Sequence, residues 1–233
     1  MPKQFISQVL LAGTEIFPNK QLSDTTLMMP QALFTNGKLT ATSPSMGEYV
    51  FKSKDNKVIK KKLEQPKSLN LGNSKTKIEF FPISDEVIQP IEVSELKSLT
   101  EFENPAIKYF TGKVKYTMNF SVPNDFMGTK DSLVLELGNL GATAEVILNG
   151  KLLAHPWHPN TFLNVSGLLK AKNTLEITVA NECRNRFIGD LVQYGSLKSL
   201  WTTSPVETLL NKDMPLKPSG LMSPLRLIGY KKD

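Results

Sequence analysis

The chain has 233 residues, 40% of them hydrophobic and 21% charged, with a formal net charge of +6. Those proportions exclude a disordered polymer, and no apolar run approaches the roughly 18 residues that a membrane-spanning helix needs. The one cysteine, Cys183, excludes an intrachain disulfide and a multi-cysteine metal site. The excess charge sits on lysines spread through alternating strands, with neither a reading helix nor an aromatic-and-basic platform, so nucleic acid is not indicated.

Residues 1–45 are the least legible stretch. Residues 1–13 hold one lysine and an apolar patch broken by Ser7 and Gln8; this lacks the unbroken apolar core of a secretory signal and reads as an ordinary structural segment, a short helix. Asn36-Gly37 marks a turn, since both residues tolerate positive φ. From Gly47 the pattern sharpens. Glu48-Tyr-Val-Phe and Val58-Ile predict a hairpin around Asp55-Asn56, and Leu69, Leu71 then Ile78, Phe80 predict two strands separated by Gly72-Asn73-Ser74. Residues 84–104 are acidic and punctuated by proline, which predicts a connection across a sandwich end rather than a continuous helix.

The strongest periodic signal follows. Val114, Tyr116, Met118, Phe120 and Val122 alternate with Lys113, Lys115, Thr117, Asn119 and Ser121, which places every apolar side chain on one face of a strand. Leu133, Leu135 and Leu137 repeat the rule, as do Ala144, Val146 and Leu148, ending at the hairpin signal Asn149-Gly150. Leu175, Ile177 and Val179 predict a further strand, and Leu225 with Leu227 the last. Helix signals are scarce. The expectation is an all-β chain: an antiparallel β-sandwich over residues 91–233, preceded by a smaller β-rich region over 1–90.

Isolated groups offer little chemistry. Alternation sends Glu136 and Glu145 to the solvent side of their strands, which does not give the two facing carboxylates that a glycosidase uses. Asp190, flanked by Gly189 and close to Arg186, reads as a partner for arginine or a loop cap. His155 and His158 are the only histidines; Pro156 and Pro159 forbid the helix that would align them on a metal. No Gly-x-Ser-x-Gly elbow positions a serine nucleophile. Cys183 reads as a small buried apolar residue.

Phe110-Thr-Gly-Lys-Val-Lys-Tyr, Leu135-Glu-Leu-Gly, Ala144-Glu-Val-Ile-Leu-Asn-Gly-Lys, Asn173-Thr-Leu-Glu-Ile-Thr-Val-Ala-Asn, Asn185-Arg-Phe-Ile-Gly-Asp and Ser219-Gly-Leu occur in an order that resembles the C-terminal galactose-binding-like jelly roll of the α-L-rhamnosidases of glycoside hydrolase family 106. The likeness covers residues 107–228, with a weaker echo at Gly47-Glu-Tyr-Val-Phe. It is similar more loosely to the sugar-binding domain of family 2 enzymes. Ser223-Pro-Leu-Arg stands where such enzymes tend to read Gly-Pro-Val-Arg. The resemblance implies an acid and a base on a (β/α)₈ barrel of roughly 200 residues, which cannot fit upstream of Ile107, so no catalytic residue carries over.

What the resemblance implies is a non-catalytic accessory module of a rhamnosidase-type glycoside hydrolase. Its partners would be a catalytic barrel domain and a rhamnose-containing glycan, with no nucleic acid and no membrane. The alternatives are a subunit that completes an active site with a separately encoded barrel chain, and a free-standing lectin-like binder. Related enzymes are exported, yet the start of this chain shows no export signal. Jelly rolls of this kind also allow a structural calcium ion. Sugar recognition uses an aromatic face and planar polar groups. The candidates are Trp157, His158 and Asn160 after the Asn149-Gly150 hairpin, Arg186 and Asp190, and Tyr194 with Trp201 in a long irregular segment over 191–218, a length that marks a functional loop or an interface.

Overall fold

The computed structural model describes residues 6–11, 14–17, 31–35, 38–42, 47–53, 57–64, 66–126, 132–157, 161–200, 202–203, 205 and 209–230. The strands in chain order are β1 (Ile6–Leu11), β2 (Thr14–Phe17), β3 (Gln31–Thr35), β4 (Lys38–Thr42), β5 (Gly47–Ser53), β6 (Val58–Leu63), β7 (Lys67–Asn70), β8 (Thr76–Pro82), β9 (Ile91–Val93), β10 (Gly112–Ser121), β11 (Ser132–Glu136), β12 (Asn139–Leu140), β13 (Thr143–Leu148), β14 (Lys151–Ala154), β15 (Phe162–Asn164), β16 (Lys172–Asn181), β17 (Leu221–Met222) and β18 (Arg226–Tyr230). Among the described residues they are joined by the one-turn α1 (Pro105–Lys108), by α2 (Arg184–Tyr194) and by 3₁₀ turns at Leu99–Glu101 and Asn124–Phe126. The chain is all-β with antiparallel sheets, as the alternation predicts.

By proximity the residues divide into two compact units, one of 1–68, 128–132 and 228–233, the other of 69–127 and 133–227. In the first, β2, β1, β5 and β6 form one sheet in that order, and β3 pairs with β4. β1 stands where a short helix was expected. Its residues 9–11 pair with Phe51, Val50 and Tyr49 of β5, so a strand partner far along the chain overrides the local apolar cluster. β3 and β4 flank Asn36-Gly37, and β5 and β6 flank Asp55-Asn56; both turns lie outside the described residues.

The second unit is a sandwich. One sheet has the order β14-β13-β16-β10-β8-β9 and the facing one β15-β11-β18-β7. β10 lies at the centre of the larger sheet and pairs in unbroken register with β16 over Gly112↔Asn181 to Ser121↔Lys172. Val114, Tyr116, Met118, Leu175, Ile177 and Val179 are all at most 1% exposed, and each buried aliphatic or aromatic side chain of this kind stabilises the fold by about 1.5–3 kcal/mol. From the facing sheet Leu133, Leu135 and Leu227 enter the same core. The β13–β14 turn is built on Asn149 (φ 53°) and Gly150 (φ 79°), the left-handed pair that a two-residue hairpin requires. Asn149 Oδ1 accepts from Thr174 N at 3.0 Å, and its Nδ2 donates to Asn173 Oδ1 at 2.9 Å, which ties the turn to β16.

Two expectations fail in this unit. Residues 191–194, expected to open the irregular segment, are instead the last turn of α2. Glu136, expected on the solvent side, is 7% exposed: it does lie opposite Leu135, but Arg226 on neighbouring β18 covers it with bonds of 2.6 Å from Nε and 3.1 Å from Nη2. Alternation assigns the face correctly and says nothing of what covers that face.

Candidate functional site

Two of the polar residues singled out in the second half, Arg186 and Asp190, lie on α2. This helix follows β16 directly. Cys183 is its N-cap residue and makes no side-chain cap bond; Gly195 closes it at φ 72°, its N–H donating to Leu191 O. Ile188 is 1% exposed and anchors the helix. Gly189 is required by packing, since a Cβ there would lie 2.7 Å from the Tyr109 Cβ and nearer still to its ring.

Arg186 and Asp190, one turn apart, form the polar centre of the site. Asp190 is 1% exposed. Its Oδ2 accepts from the backbone N–H groups of Lys198 (2.8 Å) and Ser199 (2.7 Å), and its Oδ1 from Ser199 Oγ (2.6 Å). Arg186 Nε lies 3.6 Å from Asp190 Oδ1, its Nη2 donates to Ser199 Oγ at 2.7 Å and its Nη1 to Glu86 Oε2 at 2.8 Å. Asp190 therefore pairs with arginine and caps a loop, and both of its oxygens are occupied.

The other end of the same loop is held by the first turn of the same helix. Arg184 Nη1 donates to Pro215 O at 2.8 Å, Asn185 Nδ2 to Lys217 O at 2.7 Å, and Lys217 N to Asn185 Oδ1 at 2.9 Å. Lys217 Nζ pairs with Glu182 at 2.8 Å. Residues 198–199 and 215–217 are thus both fastened to the same helix. Sequence reading missed Glu86, Ser199, Arg184, Asn185 and Lys217. Arg186 is 100 residues from Glu86, and no local pattern joins two groups so far apart.

The remaining candidates are scattered. Tyr194 ends α2 with 58% of its surface exposed, and Trp157, following β14, is 76% exposed. His158, Asn160 and Trp201 lie outside the described residues. Cys183 is half-buried and accepts from Thr111 Oγ1 at 3.4 Å. Among the described residues no three His, Cys, Asp or Glu side chains group as metal ligands. Among the described residues the two buried carboxylates, Glu136 and Asp190, are taken by Arg226 and by the loop donors, which leaves neither to ligate a calcium ion. The same occupancy leaves neither of them as a general acid or base.

No known protein family matches the chain. The chain is similar to a solved rhamnosidase from Novosphingobium sp. PP1Y, 31% identical with a TM-score of 0.61, over 85% of this chain and 19% of that one. It is similar to a putative beta-glucuronidase of Formosa agariphila, 29% identical over 220 residues, 85% of this chain and 19% of the relative. A solved beta-D-glucuronidase of Dictyoglomus thermophilum is 15% identical with a TM-score of 0.48, over 73% of this chain and 29% of that one. The homologues of this chain, the rhamnosidase and the glucuronidase of Formosa agariphila, are named as glycoside hydrolases. The chain spans about a fifth of the length of the first two.

Proposed function

We propose that the chain is a non-catalytic, galactose-binding-like β-sandwich module of a family 106-type α-L-rhamnosidase, which buttresses a catalytic barrel and helps to contact a rhamnose-containing glycan. One observation carries the reading: 31% identity over 85% of this chain coincides with only 19% of the rhamnosidase. The chemistry of the described residues supports it, because each buried carboxylate is committed to a structural partner. On this reading Trp157 and Tyr194 offer aromatic faces for the apolar side of a sugar. Arg186 and Asp190 act behind them by holding residues 198–199.

The test is direct. The purified chain, incubated with an aryl α-L-rhamnoside, is expected to release no aryl alcohol. Titration with rhamnose-containing oligosaccharides is expected to perturb tryptophan fluorescence in the native chain and not in Trp157→Ala. Hydrolysis by the chain alone overturns the non-catalytic reading, and an unchanged fluorescence signal overturns the sugar-contact role of Trp157.

A further inference from the structure

On the outward face of the large sheet, β10 and β16 extend past the strands that flank them. β8 begins at Thr76, opposite Met118, and β13 ends at Leu148, opposite Leu175. Residues 119–121 and 172–174 therefore continue as a two-stranded ribbon in which Asn119 faces Thr174 and Ser121 faces Lys172. Because side chains alternate, these four share the outward face, while Phe120 and Asn173 are buried. Together with Phe120 and Asn173 they line an open groove of about 300 Å³, which reaches the lower end of the size range of small-molecule sites.

The polarity of this groove is specific. Thr174 Oγ1 donates to Asn119 Oδ1 at 2.7 Å, which orients the amide and leaves Asn119 Nδ2 as a donor. Lys172 and Ser121 add an ammonium and a hydroxyl. None of the lining residues is acidic, and the next carboxylate on this face of β16, Glu176, is ion-paired with Lys115. The floor is held rigid from beneath: Asn173 Oδ1 accepts from Lys170 N at 2.8 Å and its Nδ2 donates to Lys170 O at 2.7 Å. A rigid wall rich in donors, with one cation at its end, suits a hydroxylated ligand that carries a carboxylate.

We propose that the ribbon groove of Asn119, Ser121, Lys172 and Thr174 binds a single acidic sugar ring. Its carboxylate meets Lys172, and its hydroxyls meet Asn119, Ser121 and Thr174. The inference rests on the glycan-associated reading above and adds a site and a ligand class to it.

The experiment is a two-dimensional amide NMR titration of the full chain with methyl β-D-glucuronide, with methyl β-D-glucoside as the neutral isostere and with inorganic phosphate. The expected result is shifts confined to residues 119–121 and 172–174 with the glucuronide, and shifts at least about tenfold weaker with the glucoside. Lys172→Met is expected to weaken the glucuronide response by a similar factor, and Asn119→Ala to weaken the response to both sugars; neither variant removes a buried group. No shift with glucuronide, or an equal response to phosphate, overturns the proposal. Hydrolysis of an aryl rhamnoside would remove the accessory-module reading without moving these shifts, so the two failures are distinguishable.

Discussion

Tyr116 shows how one side chain can couple the core to proton concentration. It sits at the centre of β10, 1% exposed, and its Oη accepts from Leu221 N at 3.1 Å. Burial pushes the phenol well above its ordinary value, and the Leu221 N–H only partly offsets this. An unfolded phenol ionises near pH 10 while the folded one keeps its proton. Above about pH 10 the unfolded chain therefore binds fewer protons, and stability falls as pH rises; below that pH the group adds no slope. Tyr116→Phe is expected to cost about 1–3 kcal/mol at pH 8, because it leaves the buried Leu221 N–H without an acceptor. The same variant lacks the titrating group. The stability gap to the native chain, measured by urea unfolding, is expected to narrow by about 1 kcal/mol between pH 8 and pH 11. A gap of constant size would show that the phenol ionises freely in the folded state.

At the scale of the element, α2 is the part that fastens a long loop to the sandwich, and Asp190 is its main anchor. Replacing Asp190 by Ala strips the acceptors from two backbone N–H groups and from Ser199 Oγ, and takes the carboxylate from beside Arg186. The expected loss is about 2–4 kcal/mol in urea unfolding, with faster proteolytic cleavage between Gly195 and Pro215. Cleavage at the native rate would mean that the loop is held by other contacts.

The same helix shows where sequence reading stops. The strands announced themselves because a half-buried strand has period two, and Val114 to Val122 carry it without a break. α2 gives no such cue. It has an internal glycine, which locally costs about 1 kcal/mol relative to Ala and is there for the Tyr109 ring. Its N-cap is a cysteine, and Asn185, Arg186 and Asp190 face loop groups rather than water. Asp190 could be read as pairing with Arg186 from their spacing of four, but Glu86 and Ser199 could not, because only the folded chain brings them together. Glu136 was assigned to the correct face, yet its burial depended on Arg226 from a strand 90 residues away.

For the molecule as a whole, the distribution of core residues dictates which part of the chain folds alone. The main core begins at Leu71 and ends at Leu227. Removing residues 1–64 leaves all of it in place, and the shortened chain is expected to unfold in one cooperative transition with the near-ultraviolet dichroism of packed aromatics. Removing residues 1–90 takes away β7 and β8, and with them Leu71, Ile78 and Phe80, which are 1%, 2% and 8% exposed. At about 1.5–3 kcal/mol each those three alone are worth about 5–9 kcal/mol, against a whole-domain stability of about 5–15 kcal/mol. The loss also uncovers the edge of β10 along Gly112–Met118, where β8 had paired, and an open central strand is a template for aggregation. The longer deletion is therefore expected to give an aggregated or molten product. If residues 91–233 instead fold cooperatively, the sandwich begins after β8 and the division of the chain lies near residue 90; if residues 65–233 fail to fold, the first unit is part of the same cooperative structure.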